Sequence, residues 1–169
     1  MNDHLLAEFD DEMKATRAVL ERVPDGQADF RAHPKSTPLG RLSTHVAQLP
    51  GWVTQTFRRT ELDITPPPGG FAAMVQSPAD ALETFDREVA EARQVLAQVK
   101  EEDFDVAWSL RMGPVTLFTL PRRTVYRRMV MNHLVHHRAQ LGVYLRLLGI
   151  ALPGIYGPTA DETPGPPKP

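Results

Sequence analysis

The sequence contains no cysteine. That one absence excludes disulfides, thiolate metal ligands and cysteine nucleophiles together, so any metal held by this chain must sit on nitrogen and oxygen. Positive charge is not in surplus either. Nineteen Lys and Arg against 21 Asp and Glu give a formal net charge of -2, whereas nucleic-acid-binding domains usually carry a basic excess. No apolar run approaches the ~18 residues that a membrane span needs, and the opening MNDHLLAEFDDEMK is acidic and lacks a signal-peptide core. These absences predict a cytoplasmic protein with neither nucleic acid nor membrane as partner. A glycine-rich phosphate loop, a nucleophile elbow and a His-Glu-x-x-His pair are also missing. Hydride transfer, nucleotide hydrolysis and serine chemistry therefore have no support in the sequence.

What is present is the composition of an ordinary globular protein, 41% hydrophobic and 24% charged over 169 residues, which suits one domain with a sizeable core. That domain is expected over 1–160, followed by a proline-rich, flexible tail at 161–169. Leu5, Leu6, Phe9, Met13, Thr16, Leu20 and Val23 recur at three or four residues and predict a first helix, stopped by Pro24-Asp25-Gly26. Leu39, Leu42, His45, Leu49, Val53 and Phe57 predict a second over about 38–60. The interior Pro50-Gly51 should kink it just after His45. DITPPPGG suits neither a helix nor a central strand. Ser77-Pro78 supplies an N-cap and a first-turn proline for a third helix, buried along Leu82, Phe85, Val89, Ala92, Leu96 and Val99. Residues alternate on both sides of Met112-Gly113-Pro114, predicting a short hairpin. Thr119 and Pro121 mark the start of a fourth helix, and Gly149 its left-handed stop. The expected fold class is all-α: a four-helix bundle with a short β-hairpin between helices three and four.

Six histidines occur in the chain, and three of them fall within NHLVHHRAQLGVYLR at 132–146. The buried stripe of the fourth helix reads Tyr126, Val130, His133, His137, Leu141, Tyr144, Leu148, so periodicity turns His133 and His137 inward. Four residues apart, they stack on one helical face, where two imidazoles can grip one ion. His45 interrupts the inner stripe of the second helix in the same way. A single histidine on an apolar face is usually a hydrogen-bonded core residue, but a third on a neighbouring helix shifts the balance to a metal site. Helices ~8–10 Å apart leave room for nitrogen ligands at ~2.0–2.1 Å. Three neutral imidazoles also leave a coordination position open, as catalytic sites do and closed structural sites do not. His4 and His33 lack such company and read as surface or loop residues.

Around the three candidate ligands, Gln48 and Gln140 are near enough to take a ring proton, with ordinary surface roles as the alternative. His136 lies about 100° round the helix, at its margin. Arg138 suits either a structural ion pair or an anionic substrate. PRRTVYRRM places four arginines where the helix dipole disfavours cations, so acids on a neighbouring helix are expected to compensate.

PLGRLSTHVAQLPGW, NHLVHHRAQLGVYLRLLGIALPGIYGPTADE and LERVPDGQADFRAHPKS resemble the DinB-like (DinB/YfiT) superfamily, over nearly the whole chain from residue 5 to about 162. The His-x-x-x-His-Arg-x-Gln-Leu core, joined to the histidine of the second helix, carries most of that resemblance. It implies an up-down-down-up bundle with a long crossover, frequent homodimers, and one divalent metal on the positions matching His45, His133 and His137. It also implies low-molecular-weight thiol-dependent transferases and isomerases among the relatives.

The leading expectation is thus an enzyme in which Zn²⁺, Ni²⁺, Fe²⁺ or Mn²⁺ lowers the pKa of a bound thiol or water for transfer to, or hydrolysis of, a small-molecule substrate. Two readings from other classes stand beside it. One is a non-catalytic metal-binding or stress-response bundle that acts as a binding module. The other is nucleic-acid binding by the arginine-rich face, which would weaken steeply with salt.

Overall fold

The structure, a computed structural model, describes residues 2–70 and 75–162, with side chains from His4 onward. It is mostly helical, with a small three-stranded sheet. Helix α1 (Asn2–Leu20) buries Phe9, Met13, Thr16, Val19 and Leu20. It ends three residues before the expected Val23. Pro24 disfavours the α conformation in the residue before it, and the chain closes instead with tighter bonds from Arg22 N to Val19 O and from Val23 N to Leu20 O.

Helices α2 (Leu39–Gln48) and α3 (Gly51–Arg58) are the two halves of the expected second helix, parted at Leu49 and Pro50. Leu49 and Pro50 keep helical dihedrals, and the regular bonding is interrupted where proline cannot donate, with tighter bonds from Leu49 N to Val46 O, Trp52 N to Leu49 O and Val53 N to Pro50 O. Gly51 lies beneath Glu88 of the next helix, whose carboxylate end would have to swing aside for a β-carbon there.

Helix α4 (Pro78–Gln98) begins as its sequence predicts, with Ser77 Oγ accepting from Asp80 N at 3.1 Å and Pro78 in the first turn. It packs against α1, α2 and α3, burying Ala81, Phe85, Ala92 and Leu96. A 3₁₀ turn, Glu101–Asp105, leads into the hairpin of β2 (Ala107–Met112) and β3 (Val115–Pro121), which turns at Gly113 with φ +55°.

The hairpin has a third partner that the sequence did not announce. Strand β1 (Glu61–Asp63) runs parallel to β2, giving the order β1-β2-β3. Asp63 Oδ1 accepts from Thr65 N at 2.9 Å, Thr65 Oγ1 at 2.6 Å and Gly113 N at 3.0 Å, so one carboxylate ties the end of β1 to the hairpin turn. Beneath the sheet Trp108 is fully buried and donates from Nε1 to Gln55 O at 3.1 Å.

The last helical rod starts later than expected. Thr119 lies in β3, where its hydroxyl meets Ser109 Oγ at 2.7 Å across the strand pair. The rod then runs through α5 (Arg122–Val125), a π-helical segment (Tyr126–Asn132) and α6 (His133–Leu147), and stops at Gly149 with φ +73°. Acids meet two of the four arginines at its start: Glu8 of α1 pairs with Arg127, and Asp105 of the 3₁₀ turn with Arg123 at 2.8 Å, whereas Arg122 is buried and donates to Arg59 O. Helix α6 packs on α1 and α2, which brings the second and last rods side by side. Asp161, at the start of the expected tail, accepts from Arg146 and from Leu152 N, while residues 163–169 lie outside the described ones.

Candidate metal centre

The packing of α2 on α6 decides the site. His45 projects from the middle of α2, and His133 and His137 from successive turns of α6. Their rings meet with centroids 5.0 Å apart for His45 and His133, and 4.6 Å apart for each of the other two pairs. His45 Nε2 lies 3.4 Å from His133 Nε2, which in turn lies 2.8 Å from His137 Nε2. One ligand nitrogen from each ring falls within 4.8 Å of the others. Tetrahedral coordination at ~2.0–2.1 Å needs nitrogens roughly 3.3–3.4 Å apart, so the first pair has that spacing and the second needs to open by about half an ångström.

The ring protons are accounted for on the far sides. His133 Nδ1 faces the Met129 carbonyl at 3.3 Å, and His137 Nδ1 faces Gln140 Oε1 at 2.8 Å. Both partners only accept, so each Nδ1 carries the proton and each Nε2 is left with a lone pair. With the protons on Nδ1, the two Nε2 atoms present lone pairs to each other across 2.8 Å, a spacing that a shared proton or a metal ion bridges. That is the chemistry of a metal-ligand set, and the three histidines together could hold a metal ion.

The π segment contributes directly to this arrangement. In an unbroken α-helix the backbone N–H of His133 would take the Met129 carbonyl four residues back; here it donates to Val130 O instead. The Met129 oxygen faces the imidazole. π-Helical turns are rare, and they recur at functional sites where such a redirection is useful.

Burial keeps the rings neutral. It is the main reason that His45 is pushed down to about 4, with the fields of His137, His133 and Arg41 adding to it. His133 and His137 are lowered for the same first reason, opposed in part by the Met129 carbonyl and by Gln140 respectively. An unfolded chain titrates His45 near its ordinary value of 6.5. Between there and about 4 the unfolded state therefore binds the extra proton, and stability falls as pH drops. Metal-free protein should keep its full melting temperature above about pH 6.5 and lose it progressively toward about pH 4. His45→Gln should flatten that slope; a wild-type melting temperature that stays level across the interval would contradict the burial argument.

The cluster opens onto a cavity of about 690 Å³, lined by His45, His133 and His137 and by Arg41, Gln48 and Trp52 of the α2–α3 rod. Strand β1 and the residues after it supply another wall. Of the other candidates, Gln48 lines this cavity and Gln140 touches His137, whereas His136 is exposed, its ring 4.8 Å from that of His137. Arg138 turns to the opposite side of α6. There it is buried against Glu12, 2.7 Å from Oε2, with further bonds to Thr16 Oγ1 and the Tyr156 hydroxyl. His4 and His33 are exposed. Arg41 and Trp52 went unnoticed in the sequence although the signal was there: they stand four before and seven after His45, on the same helical face. Met129 stands one turn before His133 in the same way.

Comparison with known proteins bears on the family and the fold. The family model for the DinB superfamily matches residues 8–141. Uncharacterized protein YrdA of Bacillus subtilis (strain 168) is 24% identical over 160 residues, covering 95% of this chain and 90% of its own length. In fold, the chain is similar to YjoA, a DinB-like protein of B. subtilis, with a TM-score of 0.66 at 16% identity over 90% of this chain and 97% of that one. A DinB-like protein of Bacillus cereus ATCC 10987 superposes with a TM-score of 0.60 at 23% identity, over 89% and 95% of the two chains.

Proposed function

The chain belongs to the DinB superfamily, and from that premise we propose that it is a metal-dependent enzyme whose single divalent ion sits on His45, His133 and His137. The observation that carries the reading is the meeting of three neutral imidazoles, two with their Nε2 lone pairs turned on one another, at the edge of a cavity wide enough for a small molecule. A divalent ion there supplies Lewis-acid chemistry, lowering the pKa of a thiol or water that reaches it. The chain's own residues do the rest. The Met129 carbonyl and Gln140 hold the ring protons of His133 and His137 on the far side, which fixes both tautomers and aims Nε2 into the site. Trp52, Leu62, Ile64 and Leu110 line the approach and limit the water around the reacting groups.

The reaction class in this reading is transfer or hydrolysis, with the nucleophile delivered by a small cosubstrate, such as a low-molecular-weight thiol, or by water. The absence of cysteine fits both. Zn²⁺, Ni²⁺, Fe²⁺ and Mn²⁺ all suit three imidazoles, and cellular supply chooses among them. The up-down-down-up bundle order and a homodimer belong to the same proposal. No helix among the described residues is long and apolar enough to cross a membrane, and the cytoplasm is proposed as the setting.

Protein purified without a metal-affinity tag should contain close to one divalent ion per chain by elemental analysis. It should then turn over substrates in a screen pairing thiol cosubstrates with electrophiles, and esters or amides with water. Metal-free protein that cannot be reloaded would overturn the proposal, and a loaded chain inert toward both panels would reduce it to metal binding.

A further inference from the structure

The arginines of PRRTVYRRM do not all end in surface ion pairs. Arg122 is 8% exposed, and no ion pair among the described residues includes it. Its Nη2 donates to the Arg59 carbonyl at 2.9 Å, while its Nε is buried without a partner. Its backbone N–H donates to Val106 O at 2.9 Å, so main-chain and side-chain bonds together fix it between the end of α3 and the residue after the 3₁₀ turn. A guanidinium removed from water normally has a carboxylate beside it, because a buried cation without a counter-charge is costly. Among the described residues this one has only a carbonyl.

A groove of about 590 Å³ runs past Arg122, and Arg58, Arg59 and Thr60 line it from the end of α3. Arg58 is engaged with Glu91 at 3.2 Å. Arg59 differs: its side chain is exposed, and no acid among the described residues pairs with it. The two acids of the groove are themselves occupied, Glu61 by Arg111 at 3.5 Å and Asp63 by three hydrogen bonds from Thr65 and Gly113. One buried, fixed guanidinium and one exposed, adjustable guanidinium thus border the same groove, and no described acid answers either.

We propose that this groove binds a small phosphate species, free or esterified, with Arg122 as the fixed anchor and Arg59 as the second arm. Planar guanidinium forks match the oxygens of a phosphate with paired, charge-assisted hydrogen bonds, and its second negative charge answers the second arginine. A carboxylate carries one charge too few. The Thr60 hydroxyl adds a neutral donor at the same wall. A polyanion such as nucleic acid suits the groove poorly, since the chain carries a net charge of -2 and Glu61 and Asp63 stand at the groove's edge. The site is distinct from the three-histidine cluster. Leu62 and Asp63 of β1 line both cavities, but neither Arg59 nor Arg122 lines the one beside the histidines.

Calorimetric titration of the full-length chain, zinc-loaded and again after chelation, with orthophosphate, phenyl phosphate and benzoate tests this. Both phosphates should saturate one site per chain in either metal state, and phenyl phosphate should bind about tenfold more tightly than benzoate, as one further charge-assisted bond provides. An ester that binds more tightly than orthophosphate identifies a phosphate-bearing organic molecule as the occupant; equal affinities identify free phosphate. Arg59→Met, at an exposed position, should weaken both phosphates about tenfold and leave the melting temperature in phosphate-free buffer unchanged. Arg122→Met should abolish saturation, and Arg122→Lys should keep part of it. Thermal melts with and without phosphate read this whatever each variant's own stability, because the saturable rise seen in the wild type should be missing from Arg122→Met. Phosphate binding confined to the zinc-loaded chain, affinity that survives either methionine substitution, benzoate binding as tightly as phenyl phosphate, or no saturation by either phosphate would overturn the proposal.

Discussion

His133→Ala should lower the affinity of the chain for Zn²⁺ by more than a hundredfold, beyond the ~10–100-fold that changes outside the ligand shell cause. His133 is the middle ring, with its Nε2 near those of both His45 and His137, so its loss leaves two ligands on different helices with nothing between them. The same substitution should not destabilise the metal-free chain. It removes a half-buried ring and one of two lone pairs that face each other, and it spares the core side chains behind it. Wild-type protein should gain about 2.7 kcal/mol on exposure to Zn²⁺ at a hundred times its dissociation constant, and the variant should gain almost none. Calorimetric titration and thermal melts with and without Zn²⁺ measure both effects. A variant that melts far below wild type before metal is added would point to a packing role for His133.

Arg138→Ala should cost about 3–5 kcal/mol of folding stability, the loss expected when one partner of a buried ion pair is removed. The Arg138 side chain is 4% exposed and Glu12 15%. The guanidinium also reaches Glu12 O and Thr16 Oγ1, each at 3.2 Å, and the Tyr156 hydroxyl, which itself donates to the Glu12 carboxylate. Four groups from α1, α6 and the C-terminal segment thus share one network. Glu12→Gln should fall in the same direction, because it leaves the guanidinium buried beside a neutral amide. Pairing Arg138→Met with Glu12→Leu should recover much of the loss, since an apolar pair avoids the desolvation of both charges. Urea denaturation of the two single variants and the double one measures this. Metal content per folded chain should not change, because this network lies across α6 from the cluster.

The helices and the three-histidine cluster were legible for one physical reason. A helical rod that buries one face leaves a period of three and four residues in its sequence, and His45, His133 and His137 fall on that period among leucines, valines and tyrosines. The interruption at Pro50, the cap at Ser77 and the stop at Gly149 were readable because each follows from the chemistry of one residue. Strand β1 was not. It is three residues long, it alternates too briefly to register, and its place is fixed by Asp63 reaching a turn fifty residues away.

The π segment left no local mark either, because its extra residue is accommodated by the packing of a whole rod. Thr119 misled because threonine suits both a helix cap and an edge strand, and the β2 partner decided between them. Arg138 was ambiguous at its own position. One helix face carries it toward α1 while the next residue back, His137, faces α2, and only the placement of Glu12 settles which way it pairs.

Zinc K-edge X-ray absorption on the untagged chain, loaded with one equivalent of Zn²⁺, addresses the three-histidine centre most directly. The predicted result is a nitrogen shell at ~2.0–2.1 Å with the outer-shell scattering of three imidazole rings, reduced to two rings in His45→Ala. A light-atom shell with no imidazole scattering, or a spectrum unchanged by His45→Ala, would contradict it.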